Sequence, residues 1–167
     1  MNVRVVSNSG PLIYLAKLGK LELLRNLFEE ILIPREVFNE VISRGKEGKF
    51  SEVLVIEDAA RKGWLRAKTA KIDQRLVKFA PELDRGEAEV ISLARQTKAD
   101  LVLMGDASAR SVSESFGFKT KGTVYILLKA YKSGLVTKSD IEALLNRLLL
   151  IGFRLSPELY SRILREL

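Results

Sequence analysis

Short apolar runs alternate with longer amphipathic runs along the chain. The apolar runs at residues 3–7, 30–34 and 100–105 predict buried strands. Between them, apolar residues recur at helical spacing, as in "PLIYLAKLGKLELL" and "RGEAEVISLARQTK". This alternation predicts an α/β domain with a central, mostly parallel sheet.

Local signals predict the remaining elements. "WLRAK" and "FKTKG" are typical of short strands, and Gly45–Lys49 ("GKEGK") of a loop. Ser9 is the expected N-cap of a helix that Pro11 opens. Further helices are expected to begin at Pro34 and near Thr137 and Ser156, and to cover "SEVLVIEDAARKG", "ASARSVSESFG" and "TVYILLKAYKSG".

The chain contains no repeat and no segment typical of a linker between domains. We therefore predict a single domain over residues 1–167, with the helices from about residue 137 packing on it. No apolar run is long enough to span a membrane, and the N-terminus lacks a signal-peptide pattern. These features predict a cytoplasmic protein.

Cysteine and histidine are both absent from the 167 residues. Their absence excludes disulfides, zinc sites built from these residues, cysteine nucleophiles and Ser-His-Asp catalysis. Any metal must be held by oxygen ligands, which favours Mg²⁺ or Mn²⁺. The lack of Cys and the many charged residues are also typical of a thermophile.

The net charge of +7 is unevenly distributed. Residues 61–85 contain eight Lys and Arg against three Asp and Glu. A basic surface of this kind favours binding of a nucleic acid, because phosphate neutralisation releases counterions. A solvated basic face without a partner is the alternative.

Polar residues follow the predicted strands or begin the helices after them, and several are carboxylates. Asn8 follows the first strand and Asp106 follows "LVLMG", while Glu40 and Glu87 lie on helices. Each can be explained alone as a cap or an exposed helical acid. Their convergence at the carboxyl edge of a parallel sheet would create repulsion that a divalent cation relieves.

Five blocks of the sequence together resemble the PIN-domain family. The resemblance is greatest to an uncharacterised prokaryotic branch related to VapC-type toxin ribonucleases, and it implies a three-layer α/β/α sandwich. The blocks occur in the family's order and cover nearly the whole chain: "VVSNSGPLIYLAKLGKLELL", "ILIPREVFNEV", "LDRGEAEVISLA", "LVLMGDASAR" and "GTVYILLKA".

The resemblance also implies an acidic site that binds Mg²⁺ or Mn²⁺. Asn8 stands where the family usually has aspartate, and Gly105 replaces an acid often found in this branch. An amide oxygen can still bind a hard cation, but it carries no charge. The implied catalytic residues are Asn8, Glu40, Glu87 and Asp106, of which Asn8, Glu87 and Asp106 bind metal, and the implied substrate-binding residues are Ser9, Thr123 and Arg110. Whether Glu89 joins the site stays open.

Three functional hypotheses follow. The first is a divalent-metal-dependent ribonuclease that cuts single-stranded RNA and acts as a toxin, with an antitoxin protein as partner and a homodimer as the expected assembly. The second is a PIN-like module with weak or lost activity that binds RNA or a protein. The third is a flavodoxin-like nucleotide-binding domain, which no glycine-rich phosphate loop supports.

Overall fold

The computed structural model describes residues 3–48 and 51–167, which form five strands and ten helices. The strands are β1 (Val5–Ser7), β2 (Ile31–Pro34), β3 (Leu65–Lys68), β4 (Leu101–Leu103) and β5 (Thr120–Lys121). The helices are α1 (Ser9–Lys17), α2 (Glu22–Phe28), α3 (Arg35–Gly48), α4 (Ser51–Arg61), α5 (Gln74–Phe79), α6 (Arg85–Thr97), α7 (Ala107–Ser115), α8 (Thr123–Lys132), α9 (Lys138–Leu150) and α10 (Pro157–Glu166). In this part of the chain, no helix has the length and apolar character needed to cross a membrane.

The five strands form one sheet in the order β3-β2-β1-β4-β5, and every pair is parallel. Val5 of β1 pairs with Ile31 of β2 on one side and with Leu101 of β4 on the other. The chain therefore moves outward from β1 through β2 to β3, returns to β4, and then moves outward the other way to β5. Strand order reverses between β1 and β4, at the centre of the sheet.

Helices cover both faces of the sheet, which confirms the expected α/β/α sandwich. On one face, a buried core joins side chains of β1, β2 and β4 to α5, α6 and α7, including Val6, Leu32, Leu76, Ile91, Val102 and Ala109. Side chains alternate along a strand, so Val5 and Ile31 lie on the opposite face. Helices α1, α3 and α4 pack against one another, and none of their described side chains belongs to the core on the first face.

The chain forms two compact units, one ending at Thr123 and the other spanning Val124–Leu167. The first contains the sheet. In the second, the Tyr131 hydroxyl donates to the Leu167 carbonyl (3.0 Å), and the Tyr160 hydroxyl donates to Asn146 (2.8 Å). Its helices α9 and α10 begin after the N-caps Thr137 and Ser156, as predicted. The single-domain assignment stays a prediction.

The predicted loop at residues 45–49 is wrong over its described part, because α3 continues through Gly48; Lys49 lies outside the described residues. Gly45 faces α4 so closely that an added Cβ would overlap with the Val53 side chain. This glycine therefore permits helix packing instead of ending a helix. The prediction also missed α5, a short helix that Asp73 caps and Leu76 anchors in the core. Pro34 ends β2, and α3 begins one residue later.

Candidate functional site

The reversal in strand order brings the ends of β1 and β4 together. Asn8 follows β1 directly, and its backbone N–H donates to the carbonyl of Leu103, the last residue of β4 (2.9 Å). Asp106 follows three residues later. Ligands of open parallel sheets bind beyond the carboxyl ends of the strands at such a reversal. The topology therefore places the predicted residues Asn8 and Asp106 at the expected location of a crevice.

Asn8 is the N-cap of α1, with extended backbone angles and a half-buried side chain. Its Oδ1 accepts a hydrogen bond from the Ser9 backbone N–H (2.9 Å). The prediction that Ser9 is the N-cap is wrong by one residue, since Ser9 is the first residue of the helix. A Cβ added at Gly86 would lie 4.0 Å from Asn8 Oδ1. The start of α6 therefore comes close to the amide.

The first turn of α6 is held by reciprocal hydrogen bonds between two acids. Asp84 is the N-cap and accepts from the Glu87 backbone N–H (2.7 Å), while the Glu87 carboxylate accepts from the Asp84 N–H (3.4 Å). Sequence reasoning missed Asp84. The spacing of an acid three residues before Glu87, typical of a capping box, was the signal that could have identified it.

The pKa of Glu87 is affected by the acids around it. Burial, and then the negative charges of Asp84 and Asp106, raise the pKa of Glu87 above its ordinary value, against a lowering effect of the hydrogen bond within the cap. The described residues provide no ion-pair partner for Glu87 or Asp106. A bound cation would relieve this repulsion.

Asp106 is exposed and caps α7 through its Oδ1, which accepts from the Ala109 N–H (2.8 Å). Its second carboxylate oxygen makes no hydrogen bond within the described chain. The guanidinium of Arg110, expected to contact substrate, donates to the carbonyls of Gly105 (2.8 Å) and Met104 (3.3 Å). Arg110 thus holds the turn that presents Asp106.

Glu40 belongs to a second acidic group. It is exposed on α3, and its charge, with that of Glu36, acts on Glu89. Glu89 is only 3% exposed and pairs with Arg85 (3.0 Å). Burial raises the pKa of Glu89, an effect that Arg85 opposes and the two α3 acids reinforce. The charge of Asp106 therefore acts on Glu87, whereas the charge of Glu40 acts on Glu89.

The predicted hydroxyl residues lie at two different places. Ser9 is half-buried and lines a cavity of about 260 Å³ together with Glu40. Thr123 is buried at the start of α8, directly after Gly122. A Cβ added at Gly122 would lie 3.2 Å from the Arg110 guanidinium, which places the end of β5 beside the turn after β4.

The donors at this edge match the chemistry of a hard cation, since amide and carboxylate oxygens suit Mg²⁺ and Mn²⁺. Over residues 3–48 and 51–167, no group of three acids is arranged to hold a metal ion. The available set consists of Glu87, Asp106 and the neutral amide of Asn8. It therefore brings less charge to a cation than three carboxylates would.

These features define an α/β domain with acidic residues close to the reversal of its strand order. The chain belongs to the PIN-domain family: the family model DUF3368, described as a PIN domain, matches residues 4–167. A PIN domain is a nuclease fold. A search of curated proteins found no match.

A solved structure, "a domain of a functionally unknown protein" from Methanocaldococcus jannaschii DSM 2661, is similar to this chain. The two share 17% sequence identity with a TM-score of 0.48, over 72% of this chain and 91% of that one. At this level the similarity adds nothing to the assignment that the family match provides.

Proposed function

We propose that this protein is a divalent-metal-dependent ribonuclease that hydrolyses phosphodiester bonds in single-stranded RNA. The main support is the meeting of β1, β4 and α6, where Asn8 bonds to the end of β4 and its amide oxygen faces Gly86. The crowding of Glu87, Asp84 and Asp106 adds electrostatic support. Membership in a family with a nuclease fold points to the same chemistry.

The proposed metal ligands are the amide oxygen of Asn8 and the carboxylates of Glu87 and Asp106. A bound Mg²⁺ or Mn²⁺ supplies Lewis-acid stabilisation of phosphoryl charge and lowers the pKa of water. Asp106 offers the oxygen that its capping bond leaves unused, and Arg110 maintains the turn behind it.

Other residues of the chain would position the substrate and the attacking water. Glu40, exposed on α3, accepts a proton from that water or orients it. The Ser9 hydroxyl and the Arg110 guanidinium contact the phosphate, whereas the buried Thr123 supports the turn beside Arg110. The basic segment at residues 61–85 attracts the polyanion through its cations other than Lys62 and Arg66, which pair with Asp58 and Glu30.

Cleavage of a labelled single-stranded RNA pool tests the proposal, using the wild type with Mn²⁺ or EDTA beside Asp106→Asn. Asparagine is as good an N-cap as aspartate, so the variant keeps α7 while losing a charge at the site. Glu114→Gln, at an exposed position of the same helix, is the matched control. We expect metal-dependent cleavage that Asp106→Asn lowers by about 100-fold or more and that the control retains.

A module that binds RNA or a protein without efficient hydrolysis is the second candidate. Two observations favour it: Asn8 brings no charge, and the described acids form no group of three suited to a metal. Absence of metal-dependent cleavage above the level of Asp106→Asn, at high enzyme concentration, would support this candidate. PIN membership favours both candidates over a flavodoxin-like nucleotide-binding domain.

The biological setting of a ribonuclease is part of the same proposal. By family resemblance, the protein acts in the cytoplasm as a homodimer and as the toxin of a toxin–antitoxin pair. Light scattering of the purified protein tests the dimer. Rescue of growth by a co-expressed neighbouring gene product tests the antitoxin partner.

A further inference from the structure

A cavity of about 260 Å³ lies between α1, α3 and α4 in the first unit. Its base is set where α3 meets α4, because Gly45 leaves no room for a Cβ against Val53. Apolar side chains make up much of its wall: Ile13 from α1, Val37 and Val41 from α3, and Val53 and Ile56 from α4. Such walls suit a flat, weakly hydrated group more than a hydrated ion.

The cavity lies beside one of the proposed metal ligands, Asn8. Ser9 lines it and is the direct neighbour of Asn8. Val37 also lines it, and a Cβ added at Gly86 would lie 3.6 Å from Val37 and 4.0 Å from Asn8 Oδ1. Glu40 also lines the cavity. A group in the cavity would therefore lie near Asn8.

The volume of the cavity and the charges that line it limit the kinds of ligand that it can bind. The volume falls just below the range of pockets that hold drug-sized ligands. A cavity of this volume fits one ring system. Arg44 at the rim is exposed, and the described chain offers it no ion-pair partner. Two cations and two acids line the cavity, Lys17 and Arg44 with Glu40 and Glu52, so its lining carries no net negative charge and Arg44 is available to a phosphate of the ligand.

We infer that this cavity binds one unstacked nucleobase of the single-stranded RNA, adjacent to the phosphate at the candidate site. Proteins that take an unstacked base into a pocket hold it between aromatic or apolar side chains, while cations contact the backbone. The apolar wall takes the base, and Arg44 contacts a neighbouring phosphate. This inference rests on RNA being the substrate, as proposed above.

A helix of a protein partner is a less suitable occupant. Helix recognition needs a groove that takes several side chains at positions i, i+3 or i+4, and i+7. A cavity of about 260 Å³ takes one such anchor. The nucleobase is therefore the occupant to test.

Binding is measured separately from cleavage by using Asp106→Asn with Mn²⁺ and a short fluorescent single-stranded RNA. A set of RNAs carries one abasic nucleotide at successive positions. We expect one position, or two adjacent positions, at which loss of the base weakens binding by roughly tenfold. Equal affinity for all abasic RNAs, or no RNA binding at all, would overturn the inference.

A cavity-filling variant tests whether the base at the sensitive RNA position binds in this cavity. Ile13→Trp, on the Asp106→Asn background, places an indole at the half-buried wall of the cavity. Ile42→Trp on α3 is the matched control, since Ile42 is half-buried and does not line the cavity. We expect Ile13→Trp to weaken binding of intact RNA about tenfold, with no further loss at the sensitive abasic position. An unchanged abasic effect in Ile13→Trp would place the base elsewhere.

The two proposals can fail independently. Base-dependent binding without metal-dependent cleavage by the wild type would support the nucleobase site and contradict the ribonuclease proposal. Cleavage that is indifferent to abasic positions and to Ile13→Trp would sustain the ribonuclease and refute the cavity. Circular dichroism of each variant confirms that it is folded.

Discussion

The two edges of the sheet differ in whether their charged side chains form ion pairs. At the amino edge, a cavity of about 1000 Å³ is lined by several cations and acids. Three of these cations have an acidic partner nearby, in the pairs Arg25–Glu22 (3.2 Å), Lys62–Asp58 (3.0 Å) and Arg66–Glu30 (3.4 Å). At the carboxyl edge, Glu87 and Asp106 have no such partner in the described chain and repel each other.

This contrast teaches that cavity size is a poor guide to the functional edge. The larger cavity pairs three of its cations with acids in exposed ion pairs, which contribute little to stability and require no ligand. The carboxyl edge leaves negative charge unneutralised where strand order reverses, and that is the condition under which a cation gains affinity.

The largest expected effect comes from adding one carboxylate to each edge. Asn8→Asp keeps the N-cap of α1 and adds charge to the proposed metal ligands. We expect about tenfold tighter Mn²⁺ binding, equivalent to about 1.4 kcal/mol, and a larger thermal shift with Mn²⁺. Asn26→Asp, which adds a carboxylate to the amino-edge cavity, should leave the shift unchanged. Equal shifts in both variants would erase the distinction between the edges.

The second prediction concerns pH and the buried Glu89. Its pKa is raised above the ordinary 4.5, so the folded state binds protons more tightly than the unfolded chain. The free energy of unfolding should therefore fall as the pH rises from 4.5 through the raised pKa. In EDTA, Glu89→Gln should flatten this dependence, whereas the exposed Glu82→Gln should not. Urea unfolding across this pH range measures it, and an unaltered slope in Glu89→Gln would contradict it.

A third prediction uses backbone strain at the amino edge. Glu29 has φ of 67° and ψ of −47°, and the Glu30 N–H bonds to the Phe28 carbonyl (2.8 Å), which together form a strained γ-turn. Glu29→Gly should raise the free energy of unfolding by about 1 kcal/mol, because glycine tolerates positive φ. Cleavage and Mn²⁺ affinity should stay at wild-type values. A change in either would show that the amino edge is coupled to the site.

The smallest effect is expected from breaking an amino-edge ion pair. Arg66 and Glu30 are both about half exposed, so Arg66→Gln should cost less than about 1 kcal/mol, and the cost should shrink in high salt. RNA cleavage should be unaffected. A large loss of RNA affinity would instead identify the amino edge as part of the nucleic-acid surface.

Local signals predicted most elements because each depends on residues that are close in sequence. Helix α6 has its capping box and apolar periodicity within its own segment, and β4 is a continuous apolar run. Gly45 shows where such reasoning fails. Glycine is typical of a loop, but here its lack of a side chain lets α3 contact Val53 on α4. The one-residue error at Ser9 arose because Asn8 and Ser9 are both good N-caps.

For the site, the sequence by itself determined the types of donor and the ends of the strands and helices that carry them. It could not decide that the charge of Asp106 acts on Glu87 while the charges of the α3 acids act on Glu89, because both glutamates lie in the same turn of α6. It also could not predict the cavity beside Ser9, which three helices form together. Local sequence determines hydrogen bonds within a turn and the period of burial. The packing of distant segments decides which charges meet and where a cavity remains.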